Sequence, residues 1–241
     1  MTERLPGISF FFPARDEELN VAPMVAQALT TLPQYADDVE VTVIDDGSSD
    51  DTGKIADALA LTDPRVKAVH NRPGRGYGGA VRAGFMSATQ PFIFFTDGDQ
   101  QFEVADFGRL AAEMRPGVDA VIGYRIKRAD PFRRLLVSGV YNRLIDLLFV
   151  GGWRDVDCAF KLFRADVFTR VPLSRVKSNG AFFSPELLIT LRANGIVMRE
   201  VGIPHHPRMH HEPKGAPPKV ILKAIRDLLL LRLAMWLDPK R

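Results

Sequence analysis

A short apolar segment, Phe92–Phe95, is followed almost at once by two carboxylates one residue apart, Asp97 and Asp99. An apolar run of this length is typical of a buried strand in a parallel sheet. The carboxyl ends of such strands form the edge at which open α/β sheets bind ligands. Alternate residues of an extended segment project the same way, so both carboxylates are expected on one side of the turn. Two carboxylates so placed suit Mg2+ or Mn2+, although a capping Asp followed by a turn Asp is the alternative.

The composition limits the class of protein. A chain of 241 residues with 46% apolar and 25% charged residues is typical of a globular protein with a buried core. The single cysteine, Cys158, excludes a disulfide framework and an all-cysteine metal site. No segment combines the features of a signal peptide or provides the roughly 20 apolar residues of a spanning helix. We therefore expect a cytoplasmic protein.

The charges are distributed unevenly along the chain. Residues 1–120 contain 10 Lys and Arg against 19 Asp and Glu (net −9), whereas residues 121–241 contain 22 against 10 (net +12). This asymmetry predicts that the second half meets an anionic partner. Nucleic acid, a lipid phosphate and an anionic membrane all qualify, and solvated charge without a partner is the alternative.

Strand-like and helix-like segments alternate along the first 125 residues. This alternation predicts an α/β fold with right-handed crossovers, in which helices flank a mainly parallel central sheet. The predicted strands are 8–12, 39–44, 66–69, 92–95 and 120–122, and the predicted helices lie near 20–33, 50–60, 78–89 and 103–114.

The pattern changes after residue 125. Residues 132–150 predict a helix with a polar stripe, residues 184–194 predict another helix, and 156–163 and 196–203 are compatible with strands. The tail, residues 219–236, is amphipathic with a basic edge. Such a helix either lies in a membrane interface or packs on the body of the protein.

Two further predicted strands end in polar turns, at residues 13–18 and 45–52. Three parallel strands therefore deliver carboxylates to one edge of the sheet. Helix capping accounts for part of the second turn, but the doubled Asp45 and Asp46 are expected to leave at least one carboxylate for a base N–H. The glycine-rich segment 71–80 opens onto a helix, which allows close approach of the backbone to a phosphate.

Six short motifs combine these features. They are Pro13-Ala14-x-x-Glu17, Asp45-Asp46-Gly47-Ser48, Gly74-Arg75-Gly76, Asp97-x-Asp99-x-Gln101, Gly123-x-Arg125 and Asp155-x-x-Cys158-x-Phe160-Lys161. In this combination, from about residue 8 to about residue 214, the chain resembles the family-2 inverting glycosyltransferases of the GT-A fold. Within that family it is most similar to the polyprenol-phosphate sugar synthases. Tyr77 departs from the family pattern, which often has Lys at this position.

The resemblance implies a role for each matching residue. The metal, Mg2+ or Mn2+, would be held by Asp97, Asp99 and Gln101. The catalytic set would be Asp97, Asp99, Arg125, Asp155 and Asp157. The nucleotide-sugar would contact Pro13, Ala14, Glu17, Asp45, Asp46, Gly47, Arg75, Gly76, Asp97 and Gly98, and the acceptor would contact Arg125, Arg134, Ser138, Asn142, Lys161, Arg208 and Lys214.

The resemblance also implies the organisation and the partners. Residues 1–217 would form the GT-A domain, with a nucleotide-sugar-binding half (1–125) and an acceptor-binding half (126–217), followed by a C-terminal amphipathic helix (218–241). The partners would be a UDP- or GDP-linked sugar, a polyprenyl phosphate or another acceptor, and the inner face of a membrane, contacted peripherally. A homodimer is compatible with the pattern. No nucleic acid is expected, because the basic residues form no recognised reader motif.

The acceptor class decides the chemistry that the chain must supply. A lipid phosphate is already an anion and needs arginines to hold it, whereas a sugar hydroxyl needs a base, for which Asp155 and Asp157 are candidates. Transfer to a saccharide or small hydroxylated acceptor is therefore the first alternative. A sugar-1-phosphate nucleotidyltransferase is the second, but its glycine-rich loop normally follows the first strand, not the third.

Overall fold

The computed structural model describes residues 4–126, 132–149, 152–208 and 218–238, and for residues 132–138 and 218–219 it describes the backbone alone. These ranges form seven strands and eight α-helices. The strands are β1 (Leu5–Ala14), β2 (Ala36–Asp45), β3 (Val66–His70), β4 (Phe92–Phe95), β5 (Ala120–Ile126), β6 (Lys161–Arg164) and β7 (Met198–Pro204). The helices are α1 (Glu18–Thr31), α2 (Thr52–Thr62), α3 (Tyr77–Ser87), α4 (Phe107–Glu113), α5 (Phe132–Leu148), α6 (Val167–Arg170), α7 (Phe183–Ala193) and α8 (Pro218–Leu237).

All seven strands belong to one sheet, in the order β3-β2-β1-β4-β6-β5-β7. The pairs β1–β2, β1–β4, β2–β3 and β5–β7 are parallel, and β6 runs antiparallel to both β4 and β5. The predicted α/β fold with a mainly parallel sheet is therefore confirmed. The segment predicted as a strand at 156–163 contributes only its end, because β6 begins at Lys161.

The core lies on both faces of the sheet. Successive residues of β1 point to opposite faces, so Phe10 packs with α1 and α4 while Phe11 packs with α3 and α7. Each of these rings stacks on its register partner in β4, Phe10 on Phe94 at 4.9 Å and Phe11 on Phe95 at 5.4 Å between centroids. Burial on both faces explains why β1 and β4 are apolar without interruption.

Helix α8 packs on the body through part of its surface. Leu228 and Leu231 are buried in the same core cluster as α7, whereas Leu222, Leu233 and Trp236 are exposed. One side of α8 therefore packs on the body, as one of the two alternatives predicts. Another side stays exposed, as a helix in a membrane interface requires. Among the described helices, none is both long enough and apolar enough to cross a membrane.

The contact between α3 and β1 gives a test of the packing. A Cβ added at Gly84 of α3 would lie 2.1 Å from Cδ2 of the buried Phe11. We expect Gly84→Ala to lower the free energy of unfolding by about 1–3 kcal/mol, because overpacking displaces a stacked ring. Chemical denaturation measures this change.

The matched control is Gly139→Ala in α5, where an added Cβ would meet no atom of the described residues within 4 Å. Alanine favours a helix over glycine by up to about 1 kcal/mol, so this variant should be neutral or more stable. Equal stability changes in the two variants would contradict the described contact of α3 with β1.

Candidate active site

The turns that follow β1, β2 and β4 meet at one edge of the sheet. Ala14 lies beside Asp45 in the β1–β2 register, and the Asp46 N–H donates to the Ala14 carbonyl at 2.9 Å. A Cβ at Gly98 would lie 2.7 Å from the Pro13 carbonyl oxygen, so only glycine lets the third turn approach the first this closely. The structure thus brings together the three turns that the sequence predicts to converge.

Asp46 holds the glycine-rich loop in place. Its buried carboxylate accepts hydrogen bonds from Arg75 N–H at 2.7 Å, Gly76 N–H at 2.8 Å and the Asn71 side-chain amide at 2.9 Å. Gly47 adopts a φ of +73°, and a Cβ there would lie 2.8 Å from the backbone nitrogen of Gly74. The predicted donor-binding residues 46, 47, 75 and 76 therefore form one connected unit.

The Asp45 carboxylate also accepts several hydrogen bonds within the chain. Its buried carboxylate accepts from Ser48 N–H at 3.0 Å, from His70 Nδ1 at 2.9 Å and from Arg72 at 2.7 Å. Burial acts to raise the pKa of Asp45, but these hydrogen bonds outweigh it and lower the pKa to about 2. Both carboxylates already accept hydrogen bonds within the chain, and a contact of either one with a base N–H stays a prediction.

Asp97 and Asp99 have a different environment. Oδ1 of Asp97 is buried and has no hydrogen-bond partner among the described residues. Burial and the neighbouring Asp99 raise the pKa of Asp97 to about 7, against the opposing effects of Tyr77, Lys161 and Arg125. An unsatisfied buried carboxylate oxygen is the kind of ligand that a hard divalent cation takes, so these residues fit a metal such as Mg2+ or Mn2+.

Gln101 is tied to the same turn. Its backbone N–H donates to Asp99 Oδ1 at 3.2 Å, and its side-chain amide donates to the His206 carbonyl at 3.2 Å. The amide oxygen is then the atom of this side chain suited to a cation. Burial raises the pKa of Asp99, and the Gln101 hydrogen bond opposes this shift.

A second acidic group was not predicted from the sequence. Ligand atoms of Glu103, Asp106 and His206 all lie within 4.8 Å of one another, a spacing compatible with a metal ion. Asp106 is already ion-paired with Arg109 at 2.9 Å, and Glu103 is exposed. Glu103 and Asp106 are close in sequence, but His206 is about 100 residues away, so only the fold assembles the group.

Glu17 and Arg208 form a buried ion pair across this edge. The other carboxylate oxygen of Glu17 accepts from the Asn20 amide at 2.6 Å, and Asn20 in turn accepts from Gln100 at 2.8 Å. From the resemblance, Glu17 was expected to contact the donor and Arg208 the acceptor. The structure places the two side chains in direct contact.

Asp155 holds Arg125. The guanidinium donates to both carboxylate oxygens of Asp155, at 2.6 and 2.7 Å, and both side chains are buried. The proposed role of Asp155 as a base is corrected, because both of its oxygens are engaged by a cation. Arg125 and Asp155 remain close to the site as a pair, and Arg125 is near enough to Asp97 to affect its pKa.

Lys161 lies in the interior. Its ammonium donates to Ser184 Oγ at 2.8 Å and to the carbonyls of Val156 and Cys158, and burial lowers its pKa. The predicted contact of Lys161 with the acceptor is therefore corrected to a structural role, in which the lysine joins β6, the preceding loop and α7.

The remaining predicted acceptor residues are only partly described. Asn142 of α5 has a buried Oδ1 with no hydrogen-bond partner among the described residues, and the same is true of the Tyr141 hydroxyl. Burial raises the pKa of both Tyr141 and Tyr77, and the charge of half-buried Asp157 adds to each shift. The side chains of Arg134 and Ser138, and all of Lys214, lie outside the described residues.

A loop before α7 supports the glycine-rich loop from the other side. The Asn179 carbonyl accepts from Gly78 N–H at 3.0 Å, and buried Glu186 accepts from the N–H groups of Lys177 and Ser178 at 2.8 Å each. Between this loop and α8 lies a cavity of about 370 Å³. Its lining includes Lys177, Lys223, Asp227, Phe182, Leu230 and Leu231.

Comparison with known proteins identifies the family. Residues 9–171 match the model of glycosyl transferase family 2. Glycosyltransferase AglD of Haloferax volcanii is 31% identical over 243 residues, which cover 95% of this chain and 37% of that protein. Polyprenol monophosphomannose synthase of Mycolicibacterium smegmatis is 32% identical over 200 residues, which cover 79% of this chain and 74% of that protein.

A solved structure confirms the fold. Glucosyl-3-phosphoglycerate synthase from Mycobacterium tuberculosis, in complex with Mn2+, UDP and glucosyl-3-phosphoglycerate, matches with a TM-score of 0.69 at 18% identity, covering 94% of this chain and 80% of that one. The family match covers more than half of the chain, and the site has the acidic turns that the motifs predict. The chain belongs to glycosyl transferase family 2 and is a glycosyltransferase with the GT-A fold.

Proposed function

We propose that the chain transfers a sugar from a nucleotide-diphosphate-sugar, with inversion, to a polyprenyl phosphate at a membrane surface, and that it requires Mg2+ or Mn2+. The observation that carries the proposal is the convergence of three turns at one sheet edge, where Asp97 presents a buried carboxylate oxygen that no described residue satisfies. A cation and an anionic diphosphate together satisfy such an edge.

In this proposal Asp97, Asp99 and the amide oxygen of Gln101 hold the metal. When bound, the metal neutralises the charge that develops on the nucleotide diphosphate as it leaves. We prefer this set to Glu103, Asp106 and His206, because Asp106 is already paired with Arg109. The structural relative in complex with Mn2+ and UDP supports the choice of ion and of nucleotide class.

The donor is held by the first half of the chain. Glu17 lies beside the base and ribose in this proposal, and the glycine-rich loop lies against the donor. Because Asp46 already accepts from two N–H groups of this loop, its part is to fix the shape of the loop. Gly78 also donates to Asn179, so the loop is fixed on two sides.

The acceptor is held by the second half of the chain. A polyprenyl phosphate is an anionic nucleophile, so no side chain needs to remove a proton before it attacks the anomeric carbon. This agrees with Asp155 being held by Arg125. Two observations support a lipid phosphate as the acceptor. One is the similarity to polyprenol monophosphomannose synthase, and the other is the net charge of +12 (22 basic against 10 acidic residues) over residues 121–241.

The membrane would be met through α8. Leu233 and Trp236 of this helix are exposed, and its Lys223 and Leu230 line the cavity that also contains Lys177. An amphipathic helix with this character binds a membrane interface without spanning it. We propose a peripheral location at the cytoplasmic face.

A small soluble acceptor is the second candidate. The structural relative carries glucosyl-3-phosphoglycerate, a product with a phosphate but no lipid chain. In that case the nucleophile is a hydroxyl, and Asp157 becomes the residue to examine as a base, since Asp155 is engaged by Arg125.

The metal assignment predicts the behaviour of one variant. Asp99→Asn should lower sugar transfer by about 100-fold or more, because the metal loses a carboxylate ligand and the departing diphosphate then loses the positive charge that stabilises it. EDTA should abolish the wild-type activity, and Mn2+ or Mg2+ should restore it. The measurement is transfer of radiolabelled sugar to a lipid extract.

The control is Asp166→Asn, which removes an exposed carboxylate from the turn before α6. It should leave transfer unchanged. Full activity of Asp99→Asn, or of the wild-type chain in EDTA, would exclude the assigned metal site.

The acceptor assignment is tested with a set of pure acceptors. The chain should transfer sugar to a polyprenyl phosphate, and transfer to the matching polyprenol, which lacks the anion, should be at least about 100-fold slower. Phosphoglycerate and simple saccharides should be inactive. Turnover with a soluble acceptor and none with the lipid phosphate would select the second candidate.

A further inference from the structure

Arg208 places a positive charge at the proposed metal site. Its side chain is 9% exposed and is ion-paired with Glu17, whose side chain is 8% exposed. A charge buried to this degree is costly unless it is paired. Burial raises the pKa of Asp99, the Gln101 N–H and the charge of Arg208 oppose this shift, and the charge of Glu17 adds to it. The guanidinium therefore partly neutralises two acids of the site at once.

Two other cations near Asp97 are engaged elsewhere. Arg125 and Lys161 both act on Asp97, but Arg125 is held by Asp155, and Lys161 bonds to Ser184 and to backbone carbonyls. Arg208 is instead paired with Glu17, a proposed donor-binding residue. Donor binding and the Glu17–Arg208 ion pair therefore compete for the same carboxylate.

The segment that carries Arg208 is attached to the turn that carries Asp99. We call residues 205–208 the strap. His206 N–H donates to the Gln101 carbonyl at 2.9 Å, and the Gln101 amide donates to the His206 carbonyl at 3.2 Å. Gln101 N–H also donates to Asp99. Because of these bonds, an Arg208 side chain released from Glu17 stays within the reach of this turn.

We propose that Arg208 is an internal counter-cation of the metal site, which neutralises Glu17 and Asp99 in the free enzyme and is displaced when the divalent cation and the nucleotide-sugar bind. The inference rests on the proposed function and adds a form of regulation to that site. A released guanidinium forms bidentate hydrogen bonds with phosphate oxygens, so Arg208 exchanges a carboxylate partner for the donor diphosphate. The metal alone then binds poorly, and the metal with the nucleotide binds well.

The proposal predicts effects of opposite sign in one variant. In the full chain, Arg208→Gln should bind Mn2+ alone about fivefold more tightly or better, because a competing positive charge is removed. The same variant should bind UDP or GDP in saturating Mn2+ about fivefold more weakly or worse, because the diphosphate loses a partner. Electron paramagnetic resonance measures free Mn2+, and calorimetry measures the nucleotide.

Two further variants separate charge from structure. Arg208→Lys keeps the charge but loses the fork of donors, so it should retain the wild-type affinity for Mn2+ and lose affinity for the nucleotide. Arg65→Gln removes an exposed guanidinium beside β3 that is paired with Asp63, and it should change neither affinity. Circular dichroism shows whether each variant is folded. If Arg208→Gln does not fold, the affinities of Arg208→Lys test the proposal.

The outcomes distinguish this inference from the proposed function. If the wild-type chain binds Mn2+ but Arg208→Gln binds it equally or more weakly, Arg208 is not a counter-cation and only this inference is overturned. The same holds if Arg208→Lys loses Mn2+ affinity or keeps full nucleotide affinity. A wild-type chain that binds neither Mn2+ nor nucleotide overturns the proposed function together with the inference.

Discussion

Parallel pairing of β1 with β2 on one side and with β4 on the other is the constraint on which the site depends. Ala14 aligns with Asp45, and Phe11 aligns with Phe95, so the turns after the three strands start at nearly the same height. A register shift by one residue would exchange the two faces of β1, which are both packed with phenylalanine rings. The core therefore fixes the register, and the register places the carboxylates.

The carboxylates of this edge have the same chemistry but different surroundings. Asp45 and Asp46 are supplied with N–H donors by the glycine-rich loop and its neighbours, and the pKa of Asp45 is about 2. Asp97 has a buried oxygen without a partner among the described residues, and its pKa is about 7. The supply of donors thus separates carboxylates that shape a loop from carboxylates that are suited to a cation.

The sequence was sufficient to predict the strands and the turns that follow them, because neighbouring residues encode these elements. Apolar runs that end in acidic turns predicted β1, β2 and β4, and with them the edge of the site. Partners distant in sequence were not predictable. Glu17 meets Arg208 across 191 positions, and Asp155 meets Arg125 across 30. Lys161 was expected to contact the acceptor. Only the fold shows that its ammonium is buried and donates to Ser184 and to backbone carbonyls.

These distant pairs bear on the acceptor. A transferase that activates a hydroxyl needs a carboxylate able to take up a proton, yet Asp155 is bound on both oxygens by Arg125. An acceptor that arrives as a phosphate anion makes no such demand, but it needs positive charge beside an already anionic donor. In the proposed exchange, Arg208 leaves Glu17 for the donor diphosphate and so reduces the negative charge beside which an acceptor phosphate must bind. The arrangement of acids and arginines is therefore more consistent with a phosphate acceptor than with a neutral one.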